Sequence, residues 1–598
     1  MSLPARTDID AQYRFDLTRI YETPAEWDEE HETLSERLEA LEARLDGPLD
    51  TTEDLAALLD TTEECYRRKQ RLELYANLDQ NIHTNDDAAN DRLQRYRAIE
   101  SEFEPVVAAV RRRLHAMDPD RFDALLDGLD GYRHYAENLR GQASHAGSAD
   151  VEETIAAFES PRTAPGRIIR TITTEDFDPP TVERSDGQSV GIRYGNRRTE
   201  LSSGNREYRR RVYEAYHGEM DRFEHTLARA YAEKLKAAAT EAEVRGYDSI
   251  RDRDLGQRCY PESGTKSVLS EKVHDAMLDG VRENLEPYYR AYELREKRLG
   301  IETLRPWDLD VSIGGAEPPE WDYETAREHV LAALAPLGED YVDRLDAFFD
   351  ERRIDVFPTE NKRTDIPAYC PSAAADGAYV LANFHNDVRT TFYLCHELGH
   401  AMCVGGERSG PVRYATCPRP VEEIPSILHE LLLAEHLLAE GGALAAAATN
   451  QLLDTIGGNF YGAAMSSAFA HRLAGVVENG KDISADRARE AWSDLQSEFR
   501  APVEYDDRAG RNWLGRGTRE PYSRYQYVLG ATGALAVREK LRLNELTVAE
   551  YREFLRNTGR ENSITLFDRI DCDVRSSDPY ERAADAFDGY VATAEQSE

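Results

Sequence analysis

One short string restricts this chain more than any other feature: Cys395-His396-Glu397-Leu398-Gly399-His400. Residues four apart on a helix lie on one face, so His396 and His400 can aim both imidazoles at a single point. Zinc accepts neutral imidazole nitrogen in tetrahedral geometry, and three protein ligands leave a fourth position open for water. Glu397, beside the first histidine, is placed to take a proton from that water. With 15 histidines in 598 residues, an HExxH pattern arises by chance only about 0.04 times in such a chain. The string therefore predicts a helix, with Asn386 or Asp387 capping its start and Gly405-Gly406 ending it.

A third ligand has to come from a second element packed against the first. Val421-Glu422-Glu423-Ile424-Pro425-Ser426 opens the next predicted helix, with Pro425 tolerated in its first turn. Glu423 lies 23 residues beyond His400, room for a loop that returns this helix to the metal. Glu422 is the alternative. Glu430 falls on the same face as Glu423 two turns later, where it could hold a ligand histidine by its second ring nitrogen.

The rest of the chain reads as mainly α with a small sheet. Trp27 to Leu45 carries Leu34, Leu38, Leu41 and Leu45 on a charged background, one buried stripe of an amphipathic helix. Thr51 to Ile82 and Asp91 to Leu114 look alike, and shorter helical stretches follow near Tyr135 and at Val151 to Phe158. Prolines at 161, 165, 179 and 180 then punctuate the chain, and a domain boundary is expected near residue 200, dividing 1–200 from 201–598. Later helices are expected over Asn205 to Val244 and Lys266 to Leu299. Strand candidates are Ser189 to Tyr194, Trp307 to Ile313 and Ala378 to Phe384.

Acidic residues number 113 and basic residues 74, a net charge of −39, which argues against nucleic acid or an anionic membrane as partner. Only nine of the basic residues are lysine, so the expected setting is the cytoplasm of a halophile, where salt screens the carboxylates. The N-terminus shows no apolar signal region, and Glu435, His436 and Glu440 interrupt the segment most like a membrane span, Leu431 to Ala448. Seven scattered cysteines without a CxxC pair suit free thiols in a reducing compartment.

Several strings, taken in order, resemble the oligoendopeptidase F branch of the thimet oligopeptidase family of zinc metallopeptidases. They are Tyr13-Arg-Phe-Asp-Leu-Thr-Arg-Ile-Tyr21 with Trp27; Tyr135-Ala-Glu-Asn-Leu139 with Val151-Glu-Glu153; Leu381-Ala-Asn-Phe384 leading into HELGH; Glu423-Ile-Pro-Ser426; and Tyr525-Gln-Tyr527 followed by Gly530. The resemblance implies a mainly helical zincin fold with a small sheet beside the zinc helix and a deep channel between helical domains. It implies one zinc per chain held by His396, His400 and Glu423, Glu397 as general base, and cleavage of short unfolded peptides. Tyr527, with Tyr525 as its neighbour, matches the tyrosine that hydrogen-bonds the oxyanion. Two positions depart from the family pattern. No histidine stands between Trp513 and Tyr525, where Arg516 or Arg519 could donate instead, and Cys403 replaces a histidine after HExxH. Cys395, Cys403 and Cys417 are read as small buried residues rather than ligands. The strand Ala378 to Phe384 is either an edge strand that could pair with an extended substrate or an ordinary sheet strand. The alternatives to an endopeptidase are a zinc carboxypeptidase and a catalytically weak zinc-bearing peptide-binding protein.

Overall fold

The computed structural model describes residues 3–142, 145, 147–258, 269–313, 321–403, 412–414, 417–516 and 521–596. Helices Pro24–Leu45, Thr52–Ile82 and Asp87–His115 form the N-terminal layer. The expected stripe is present, with Leu34, Leu38 and Leu41 buried. Thr51 starts the second helix through a reciprocal cap: Asp54 N–H donates to the Thr51 hydroxyl, and Thr51 N–H donates to the Asp54 carboxylate.

Seven short strands are described: β1 Thr181–Glu183, β2 Ser189–Gly191, β3 Ile354–Asp355, β4 Ala368–Tyr369, β5 Ser372–Ala373, β6 Gly377–Ala378 and β7 Val380–Ala382. β1 pairs antiparallel with β2, and β5 with β6. The functional sheet has the order β3-β7-β4, β7 running parallel to β3 and antiparallel to β4. Of the two readings of Ala378 to Phe384, the edge strand is therefore corrected and the ordinary sheet strand holds: β7 is the buried centre, and β3 and β4 are the edges.

Two hydrophobic cores lie on the two sides of that sheet, and β7 belongs to both. Side chains alternate across a strand. Tyr379 and Leu381 enter the N-terminal core, built otherwise from residues such as Trp27, Leu59, Phe103 and Leu139. Ala378, Val380, Ala382 and Phe384 enter the second core, which extends from Ile169 to Ala594. Buried Lys362 ties the sheet together: its Nζ lies 2.9 Å from Asp355 Oδ1 and donates to the carbonyls of Asp355, Phe357 and Ala382 at 3.1, 2.8 and 2.5 Å.

Three further expectations change. Trp307 to Ile313 is not a strand; Pro306–Asp308 is a 3-10 turn. Asp308 accepts from Arg305 N–H and pairs with Arg206 and Arg209, which favours a compact turn over an extended chain. Ser189 to Tyr194 is strand only to Gly191, because Asn196 caps a helix that begins at Tyr194. The helix expected over Lys266 to Leu299 is two helices, Glu271–Glu283 and Glu286–Leu299, the second restarting with Pro287 in its first turn.

Candidate metal centre

The HELGH string lies in helix Val388–Ala401, and Asp387 rather than Asn386 caps it, accepting from Thr390 N–H at 2.7 Å. Gly405-Gly406, expected to end this helix, lies outside the described residues. The facing helix, Arg419–Glu440, starts two residues earlier than expected, with Pro420 in its first turn and Pro425 further in. The two helices cross backbone to backbone at Gly399. A Cβ there would stand 2.4 Å from Ser426 Cα and 2.7 Å from the Pro425 carbonyl oxygen, so only glycine allows the approach. A third helix, Tyr525–Leu543, closes on the other side at Gly530, where a Cβ would stand 2.4 Å from Glu423 Cβ.

Wedged between these helices, Glu423 turns its carboxylate to both histidines. Its Oε2 is 3.5 Å from His396 Nε2 and 3.8 Å from His400 Nε2. The three ligand atoms lie within 4.8 Å of one another, the one such metal-competent group among the described residues. A tetrahedral zinc with bonds of ~2.0–2.2 Å separates its ligand atoms by roughly 3.3–3.6 Å, so this set of two imidazoles and one carboxylate fits zinc with little adjustment. Glu422 is half-buried and stands outside the group.

Glu430 takes the position expected of it. Its Oε1 is 2.7 Å from His396 Nδ1, and its Oε2 accepts from the Thr455 hydroxyl at 2.6 Å. That contact directs Nε2 of His396 toward Glu423. Without a cation present, burial disfavours charge on His396, but the carboxylates of Glu430, Glu397 and Glu423 outweigh it and push its pKa up to about 10. The negative field that attracts this proton is one that a divalent cation satisfies better. Behind the pair, His429 is held neutral by burial, its pKa pushed down to about 3; it joins the two helices through the Cys395 carbonyl and meets a third, Glu339–Asp350, at the Tyr341 hydroxyl.

His396 and Glu397 line a cavity of about 380 Å³ together with Tyr393, Arg198, Asn459 and Arg524. Burial raises the pKa of Glu397, against the opposing pull of His396 and His400. The tyrosines separate. Tyr525 is 1% exposed and turned into the core, with its ring edge-on to His274, which is a packing position. Tyr527 is partly exposed, and the Arg524 guanidinium lies 4.2 Å from its ring centroid. Arg519 and the side chain of Arg516 lie outside the described residues. Arg198 and Arg524, which the sequence reading missed, supply described guanidiniums on the cavity wall. Cys395 and Cys403 are buried, as expected, and Cys417 is half-buried.

The cavity floor is the π-helical turn Gly457–Gly462. Such turns are rare and gather at functional sites. Its sequence, Gly457-Gly-Asn-Phe-Tyr-Gly462, was a readable signal that periodicity alone passes over.

An HExxH helix facing a carboxylate helix, with a small sheet alongside and helices around it, defines a zincin-type metallopeptidase architecture. Comparison with known proteins agrees. Over residues 200–586 the chain matches the Peptidase family M3 profile. It is 24% identical over 599 residues to oligopeptidase PepF of Bacillus subtilis, covering 98% of this chain and 87% of that protein. It is 23% identical over 601 residues to an oligoendopeptidase F homolog of Lactococcus lactis, covering 99% of this chain and 98% of that one. A crystal structure of oligoendopeptidase-F from Enterococcus faecium superposes with a TM-score of 0.73 at 21% identity, covering 96% of this chain and 98% of that one. The chain belongs to Peptidase family M3, and it is a peptidase.

Proposed function

We propose that the protein is a zinc-dependent endopeptidase of short unfolded peptides, with one zinc held by His396, His400 and Glu423. The observation that carries this reading is the convergence of two Nε2 atoms on Glu423 Oε2 beside a cavity that Glu397 also lines. The curated relatives named above bear oligopeptidase names, which supports the same substrate class.

A zinc ion in this set supplies Lewis acidity at its open face. Glu397 accepts the proton of the attacking water on its carboxylate and returns it to the leaving amine nitrogen. Glu430 keeps the tautomer and aim of His396. Tyr527 donates its hydroxyl to the oxyanion as the carbonyl becomes tetrahedral, with Arg524 against its ring. Tyr525 packs. β4, the free edge beside Pro367 on the cavity wall, is where an extended substrate backbone would pair.

The composition supports a halophile's cytoplasm as the setting, and no helix among the described residues is long and apolar enough to cross a membrane. The division at residue 200 is part of the proposal; residues up to Leu139 fill the N-terminal core, while Ile169 to Ile192 already pack with the catalytic helices. The test is digestion of peptides blocked at both ends, with and without chelator, and mass mapping of products. An endopeptidase cuts an internal bond of the blocked peptide, whereas a carboxypeptidase or a binding protein leaves it whole.

A further inference from the structure

Behind the π-helical turn lies a second hollow, of about 230 Å³, which shares Arg198, Asp454, Gly458, Gly462 and Ser466 with the cavity at the metal centre. The two hollows therefore adjoin across a floor of glycines. A Cβ at Gly458 would meet nothing within 4 Å, so a peptide backbone can pass close over this floor.

The inner hollow is basic in a chain of net charge −39. Its walls carry Arg197, Arg198, Arg295 and Arg500 against only Asp310 and Asp454. Both aspartates are already engaged, Asp310 by Arg198 and Asp454 by Arg198 and Arg295. Arg197 lies over the Tyr216 ring at 4.5 Å. Neither Arg197 nor Arg500 has a carboxylate partner among the described residues. Arg500 sits at the shared wall, its Nη2 3.9 Å from where a Gly462 Cβ would be. The hydroxyls of Tyr288, Tyr292 and Tyr505 surround it, Tyr292 donating to Tyr288 at 2.7 Å. The Arg500 and Tyr505 side chains lie within reach of each other, but the buried Arg500 Nε and Tyr505 hydroxyl make no well-aligned hydrogen bond. A half-buried guanidinium without a carboxylate partner, in contact with neutral hydroxyls alone, is poorly compensated, so the hollow suits an anionic occupant.

We propose that this hollow is a subsite for the free C-terminal carboxylate of the substrate peptide, with Arg500 as its principal donor and Tyr505 beside it. The inference rests on the peptidase reading of the adjoining site. Each unmodified oligopeptide carries one such carboxylate. The hollow is smaller than the roughly 300–1,000 Å³ of a typical ligand pocket, which suits a chain end rather than a passing strand. An end-gripping subsite at a set distance from the scissile bond would also favour short peptides over long ones.

The test uses the zinc-loaded full chain and pairs of internally quenched peptides identical except for a C-terminal carboxylate or carboxamide. Wild type should prefer the acid by about tenfold or more in kcat/KM, mostly through KM, the scale of one charge-assisted hydrogen bond. Arg500→Gln should bring that ratio near one, Tyr505→Phe should lower it severalfold, and Arg500→Lys should keep part of it. The same pairs titrated into the Glu397→Gln protein should show the preference as a Kd ratio. A wild-type ratio within twofold of one, or an unchanged ratio in Arg500→Gln, overturns the proposal while leaving the peptidase reading intact. A carboxamide ending in Glu that is cut as well as the free acid assigns the hollow to side-chain carboxylates and also overturns it. If the wild type cuts none of these peptides, the peptidase reading itself fails, and the subsite falls with it.

Discussion

Gly530 offers a direct probe of how the three helices hold the metal centre. A Cβ at this position would lie 2.4 Å from Glu423 Cβ and 3.4 Å from Glu423 Cα, whereas ordinary contact begins at 3.4 Å. Gly530→Ala must therefore push the two helices apart by about 1 Å at this point. Overpacking of this kind costs about 1–3 kcal/mol of stability. The atom displaced belongs to Glu423, whose carboxylate would hold zinc at ~2.0–2.2 Å with a tolerance of about 0.2 Å. A shift several times that tolerance should weaken zinc at least as much as the roughly 10–100-fold cost of losing an outer partner. The assay is zinc competition against a calibrated chelator, with denaturant unfolding of the apo chain alongside. Gly475→Ala is the control: it lies inside helix Ala463–Glu478, and its Cβ meets nothing within 4 Å. That substitution should stabilise by roughly 0.4–1 kcal/mol and leave zinc affinity unchanged. If Gly530→Ala binds zinc within twofold of wild type and unfolds like Gly475→Ala, the argument that close helix approach positions Glu423 is wrong.

Other outcomes follow from the same geometry. Glu397→Gln should keep zinc and fold but lose activity by several orders of magnitude, because an amide cannot accept the proton of water; activity within tenfold of wild type refutes its role as base. Glu423→Ala should abolish tight zinc binding while Glu422→Ala keeps it, and metal analysis of the purified variants decides between them. Tyr527→Phe should lower kcat and kcat/KM together by about 10²–10³ with KM nearly unchanged, and Tyr525→Phe should show instead as a loss of stability. With a net charge of −39, the melting temperature should climb between about 0.1 M and 1 M salt, as the screening length falls from roughly 10 Å to 3 Å; a flat profile removes the halophile reading.

The features read correctly from sequence are those set by local periodicity. The stripe Leu34, Leu38 and Leu41 buries one helix face however the rest folds. His396 and His400 share a face because four residues make about one helical turn, and Glu423 and Glu430 share theirs after two. The misreadings arise where distant partners overrule local preference. Trp307 to Ile313 has the composition of a strand, yet Arg206 and Arg209 hold Asp308 in a turn. Ala378 to Phe384 reads as a strand, and its place in the sheet came from tertiary packing: both its faces are buried, and a neighbour on each side takes its backbone bonds.

The chemistry on each helix is thus legible in the residue string: two imidazoles and a base on one, a ligand-type carboxylate and its partner on the next. Each of those placements is a matter of phase along a single segment. How close the segments come, and what lies between them, depends on the packed fold. Glu423 rather than Glu422 faces the histidines because Gly399 and Gly530 let two helices close on it, a contact spanning more than a hundred residues of chain. Tyr527 and not Tyr525 stays partly exposed because His274, some 250 residues away, helps enclose Tyr525 in the core. The basic hollow around Arg500 draws on Arg197, Arg295 and Tyr505 from separate helices and loops, so no window of sequence contains it. Local steric and hydrogen-bond preferences are written residue by residue, whereas proximity between segments is set by the packing of the whole core.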